Sequence, residues 1–211
     1  MATYGRSSSF WTLEDINKVM KLILDSWNSF KIPSKFEDRI TNKFCAHLRN
    51  NKDRSKHFFS IEPQSYTLDD AGEVLGKIDL KFSMGYEEKV YFSFECKRLR
   101  VHFPSGFDTL ASEYVTEGMY RYFNGQYAQG LDKGGMLGYV MDGNIDEAIQ
   151  SVKAAIENRR QHLHMKSDDT LRPCSFLSSK QVKETFHNYG PTNQFVIYHI
   201  FLSVITLLNN N

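Results

Sequence analysis

Apolar residues recur along the first fifty positions with the period of a helix. Leu13, Ile16, Met20, Ile23, Trp27 and Phe30 form one stripe. It opens at Thr12, with Asp15 at the capping-box spacing, and closes at Ile32-Pro33. Phe36, Ile40, Phe44 and Leu48 form a second stripe, beginning at Ser34 and stopping at Asn50-Asn51. The period then shortens to two. Positions 57–67, 74–84 and 89–97 read as strands, the last two joined by a polar turn at 85–88. A helix over 110–129, an apolar strand over 136–141, a helix over 145–164, a polar loop and a last strand within 194–205 complete the pattern, with Gly134-Gly135 read as a turn before its strand. A three-strand meander followed by a helical crossover predicts an α/β (or α+β) fold, a central mixed β-sheet flanked by helices.

Composition narrows the class. The 211 residues are 41% hydrophobic and 24% charged, values that exclude disorder, collagen and coiled coil. Without repeats or a Pro/Gly/Ser linker, a single domain over 1–211 is expected: an N-terminal helical extension at 1–33, a core at 34–141 and a C-terminal helix and strand at 142–211. Cys45, Cys96 and Cys174 are odd in number and widely spaced, which fits neither a disulfide framework nor a metal knuckle and points to a reducing cytoplasm. The start MATYGRSSSFWT lacks an apolar stretch behind basic residues, so export is not expected. The most apolar run, 195–208, is shorter than the roughly 20 residues a membrane helix needs and reads as core.

The chemistry concentrates on two strands. In VYFSFECKRLR, alternation puts Phe92, Phe94 and Cys96 on one face and Ser93, Glu95 and Lys97 on the other. In GKIDLKF it buries Ile78, Leu80 and Phe82 and turns Lys77, Asp79 and Lys81 the opposite way, so that Asp79 meets Glu95 across the hairpin. Two carboxylates with a lysine beside them make a hard-oxygen site for Mg2+ or Mn2+, suited to phosphodiester chemistry. An ordinary half-exposed sheet face, with Asp79 paired to Lys97 or Lys77 to Glu95, has the same pattern. A formal net charge of +1 requires that any nucleic-acid affinity come from segregated charge. Eight Lys/Arg between positions 31 and 56, and the knot Lys97, Arg98 and Arg100, supply it. A merely solvated basic face fits equally.

These residues resemble the PD-(D/E)xK, restriction-endonuclease-like, nuclease superfamily, whose core is αβββαβ with an acid on the second strand and ExK on the third. Asp79, Glu95 and Lys97 carry the match, with Ile78 where the superfamily has proline. The resemblance implies a nuclease using Mg2+ or Mn2+, held by Asp79, Glu95 and the Cys96 backbone carbonyl, while Lys97 orients the attacking water. It makes Glu37, on the preceding helix, a further ligand, although Ser34-Lys35-Phe36-Glu37 also reads as a capping box. Arg98, Arg100, Arg121 and Lys43 are the candidate nucleic-acid contacts. Glu113, Glu117 and Arg121 share a helical stripe that lines the cleft or forms surface ion pairs. DNA is implied over RNA, with no membrane partner. A freestanding nuclease of this kind is similar to those of phage defence or DNA repair, acting as a homodimer or with a partner protein of a multi-gene system. The alternative is a catalytically inactive nucleic-acid-binding or assembly subunit retaining the fold. His162, His164 and Cys174 lack paired zinc-ligand spacing, and His199 reads as a core histidine.

Overall fold

The computed structural model describes residues 11–204 apart from 33, 54–56, 70, 86–89, 125, 128–130 and 189–193. Pro33, most of the 85–88 turn, Lys89, the expected helix end near position 129 and the apolar run beyond Val204 lie outside the described residues. The architecture is α/β. A seven-stranded mixed sheet has the order β1-β2-β3-β6-β9-β8-β7: β1 (Ser60–Leu68), β2 (Val74–Ser83), β3 (Tyr91–Leu99), β6 (Lys133–Val140), β7 (Arg172–Pro173), β8 (Val182–Asn188) and β9 (Gln194–Ser203). β3, β6 and β9 run parallel at its centre, and the flanking pairs are antiparallel. β4 (Val101–Phe103) and β5 (Gly106–Asp108) form a separate ribbon.

Helices cover both faces. On one, α1 (Leu13–Trp27) and α2 (Glu37–Asn51) bury Ile16, Met20, Ile23, Ile40, Phe44 and Leu48 against Leu80, Phe82, Phe92 and Phe94. Thr12 caps α1 reciprocally with Asp15, as its spacing predicts. Leu13 and Phe36, expected at the heads of the two stripes, are instead more than half exposed. On the other face lie α4 (Ile145–Glu157) and an irregular helix, α3. α3 starts as one α-turn at Ala111–Glu113, widens to π geometry at Tyr114–Gly118 and tightens to 3-10 at Met119–Tyr122.

Three local expectations are corrected. Gly134 and Gly135 lie inside β6 rather than in a turn, and their lack of a side chain is used there by the rings of Tyr122 and Phe94, which press where their Cβ atoms would be, at 2.4 and 2.3 Å. Ile78 packs with the α3 side while Leu80 and Phe82 pack with the α1 side, so the pleat changes phase at Asp79. Opposite that break, Gln64 sits at φ 54 and drops out of the β1–β2 ladder. Finally, β8 occupies what reads as a polar loop.

β8 lacks an apolar alternation because three of its buried positions, Glu184, Thr185 and His187, are polar. They are satisfied by one another and by neighbours, as buried polar groups must be. His187 Nδ1 lies 2.7 Å from the Leu163 carbonyl, which can only accept, so this nitrogen carries the proton. The Thr185 hydroxyl then donates to His187 Nε2 at 2.8 Å and accepts from His199 Nε2 at 2.9 Å. The Tyr114 hydroxyl donates to His199 Nδ1 at 3.0 Å. Every member is paired only while both rings are neutral. Burial lowers the His187 pKa to about 4; burial and then His187 lower that of His199 to about 3.

Candidate functional site

β2 and β3 pair only from Ser83↔Tyr91 to Leu80↔Phe94 and then separate. The backbone N–H groups of Cys96 and Arg98 therefore lose the neighbouring strand and need other acceptors. Carboxylates supply them. Asp79 Oδ2 accepts from Cys96 N at 2.9 Å, and Glu37 Oε2 accepts from Arg98 N at 2.7 Å. Glu37 thus serves β3 and not its own helix: Phe36 is the N-cap of α2 without a side-chain cap, and Ser34 Oγ accepts from Phe36 N. The capping-box reading is replaced by a tertiary one.

Lys97 stands among these acids. Its Nζ lies 2.7 Å from Glu95 Oε1 and 3.4 Å from Glu37 Oε1. Neither ion pair considered for a plain sheet face, Asp79 to Lys97 or Lys77 to Glu95, is formed. Arg121, delivered by α3, reaches Glu95 Oε1 at 3.1 Å and Oε2 at 3.2 Å. The π and 3-10 turns break the expected Glu113-Glu117-Arg121 stripe, so that Arg121 turns inward while Glu113 and Glu117 are exposed. Tyr127 accepts from Arg121 Nη1 at 2.8 Å and lies 2.9 Å from Glu95 Oε2 and against the Lys77 carbonyl. Its single proton serves one of these two acceptors at a time.

Glu95 is fully buried, and burial, then the Asp79 carboxylate, push its pKa up to about 7 against the pull of Lys97 and Arg121. Burial likewise raises Asp79 and Glu37. For Lys97, burial opposes the charge, but Glu95 and then Glu37 outweigh it and hold the ammonium above its ordinary value. The site carries excess negative potential that a cation would relieve.

The donor chemistry fits Mg2+ or Mn2+. Glu95 Oε1 is buried with charge partners but no aligned hydrogen bond, and Asp79 Oδ1 is approached by Gln64 Nε2 at 3.5 Å. Two carboxylates suffice where waters and substrate phosphate complete the shell. Among the described residues no group of three or more His, Cys, Asp or Glu gathers to hold a metal by itself, the His162, His164 and Cys174 set included.

The four proposed nucleic-acid contacts have different surroundings. Lys43 is exposed on α2. Arg98 donates through Nη1 to the Lys35 carbonyl at 3.2 Å. Arg100 is drawn to Asp142 at 2.7 Å, and Arg121 is committed to Glu95. Arg49 and Lys52, from the basic stretch, hold the carbonyls of Ile61 and Phe59. No helix among the described residues is long and apolar enough to cross a membrane. No family model, curated protein or solved structure matches the chain.

Proposed function

We propose that the chain is a divalent-metal-dependent nuclease of the PD-(D/E)xK type, hydrolysing phosphodiester bonds of DNA. The observation that carries this reading is the gathering of Asp79 from β2, Glu37 from α2 and Glu95 from β3 where the β2–β3 ladder opens, with Lys97 held against Glu95 and Glu37. A bound Mg2+ or Mn2+ would polarise the phosphate and lower the pKa of a water. Asp79, Glu95 and the Cys96 carbonyl are the groups to hold it. Arg121 and Tyr127 fix Glu95 through Oε2 and keep its orientation. Lys97, only 14% exposed, orients the water and offsets the charge that grows on the phosphate. The same resemblance gives phage defence or DNA repair as the setting.

A second reading is an inactive nucleic-acid-binding or assembly subunit. The pairing of Glu95 with both Lys97 and Arg121 favours it, because those cations already neutralise the acid. Incubation with linear, circular and single-stranded DNA and with RNA, in Mg2+, Mn2+ or EDTA, separates the two. Cleavage that needs metal and disappears in Asp79→Asn supports the nuclease; its absence on every substrate, with nucleic acid still bound, supports the inactive subunit. Asp79→Asn keeps an acceptor for Cys96 N, so loss of activity would not reflect loss of the fold.

A further inference from the structure

Directly after Lys97 the chain leaves the main sheet for the β4–β5 ribbon. Both joints are non-glycine residues in the left-handed region, Arg100 at φ 56 and Leu110 at φ 52, tied by Arg100 N donating to the Thr109 carbonyl at 3.0 Å. Side chains with a Cβ disfavour this conformation, and such strain persists where surrounding structure enforces it, commonly at functional sites. Residues 102–108 between the joints are exposed. A two-stranded ribbon of this size does not hold its shape alone. Arginines brace it: the Arg98 guanidinium lies 6.0 Å from the Phe103 ring, and that of Arg100 lies 5.0 Å from Phe107.

Phe103 and Phe107 nevertheless remain 37% and 45% exposed, and Phe36, the residue before Glu37, is 66% exposed. Arg98 links this aromatic group to the acids. Its backbone N–H binds Glu37, its Nη1 binds the Lys35 carbonyl beside Phe36, and its guanidinium approaches Phe103. Its Nε is buried without a hydrogen-bond partner. Lys35, just before α2, and Arg39, in its first turn, are exposed with Asp38 between them, so positive charge stands beside the uncovered Phe36 ring. Base faces stack on such rings while phosphates meet the cations, a mode open to unpaired nucleotides and closed to the stacked interior of a duplex.

Resting on the nuclease reading for the fate of the phosphate, we infer that this surface takes unpaired nucleotides, with bases stacked on Phe36 and Phe103 and the intervening phosphate on Arg98. The test is fluorescence anisotropy of the full chain, with Ca2+ replacing Mg2+, against a labelled single-stranded DNA, an RNA of the same sequence and the matching DNA duplex. Single strands should bind more tightly than the duplex, and the DNA and RNA arms identify which strand is preferred. Phe36→Ala and Phe103→Ala should each weaken single-strand binding about tenfold, leaving the duplex and the salt slope unchanged, while Phe103→Trp restores affinity. Melting curves verify that these surface variants remain folded. Unchanged single-strand affinity in both alanine variants, or equal losses on single strand and duplex, would overturn the inference. Metal-dependent duplex cleavage beside unaffected single-strand binding would do so while leaving the nuclease reading intact; stacking-dependent binding without cleavage would do the reverse.

Discussion

Lys97 touches two acids, and its ammonium does most when charge builds on a phosphate. Lys97→Met keeps the stem and removes the charge. Single-turnover cleavage should fall on the order of 100-fold or more, with substrate affinity within a few-fold of wild type. Normal turnover would show that Lys97 only neutralises Glu95 and Glu37. Arg98 and Arg100, adjacent in the basic knot, should separate. Arg100 is 14% exposed and bound to Asp142, so Arg100→Ala should lower the unfolding free energy by about 1–2 kcal/mol and leave the salt slope of binding unchanged. Arg98→Ala should reduce that slope, measured by titration at several salt concentrations. The shared face of Glu95 and Lys97 was legible because alternation along β3 sets it; Asp79 was not so placed, since β2 changes phase there and Asp79 meets β3 through Cys96 N beyond the end of the ladder. The service Glu37 gives was not legible, because a glutamate three residues after a serine fits a local cap as well as it fits the open ladder of a strand sixty residues away.

At the scale of elements, the amphipathic helices and the β1–β2–β3 meander follow from period alone. α3 does not, since apolar periodicity does not distinguish π and 3-10 turns from α, and those turns shift Arg121 relative to Glu117. β8 was hidden for a different reason: alternation is read from apolar residues, and at its centre hydrogen bonding replaces them. Thr185 is the hinge of that chain, giving to His187 and taking from His199. Thr185→Val has nearly the same shape and strands both ring nitrogens. Denaturant unfolding should therefore show a loss of about 2–3 kcal/mol, well beyond a surface substitution. A loss within about 0.5 kcal/mol would mean the histidines find other partners.

Over the whole molecule, two sets of buried groups pull stability in opposite directions with pH. His187 and His199, lowered from 6.5 to about 4 and about 3, contribute stability that is complete above pH 6.5 and is lost as pH falls. Glu95, raised from 4.5 to about 7, contributes stability that is complete below pH 4.5 and is lost as pH rises through 7. Between pH 7 and 5.5 the two offset each other in the wild type. In Glu95→Gln only the histidine contribution acts, so unfolding free energy should fall more steeply over that window, by about 1–2 kcal/mol; equal slopes in the two proteins would contradict the burial assigned to Glu95. The same buried negative charge is what a divalent cation would neutralise. Titration of Mn2+ into the full chain, followed by loss of its free-ion paramagnetic resonance signal, tests that claim most directly. The account predicts Mn2+ binding, competed by Mg2+ and absent from folded Asp79→Asn and Glu95→Gln; no Mn2+ uptake by the wild type, or uptake unchanged in both variants, would contradict it.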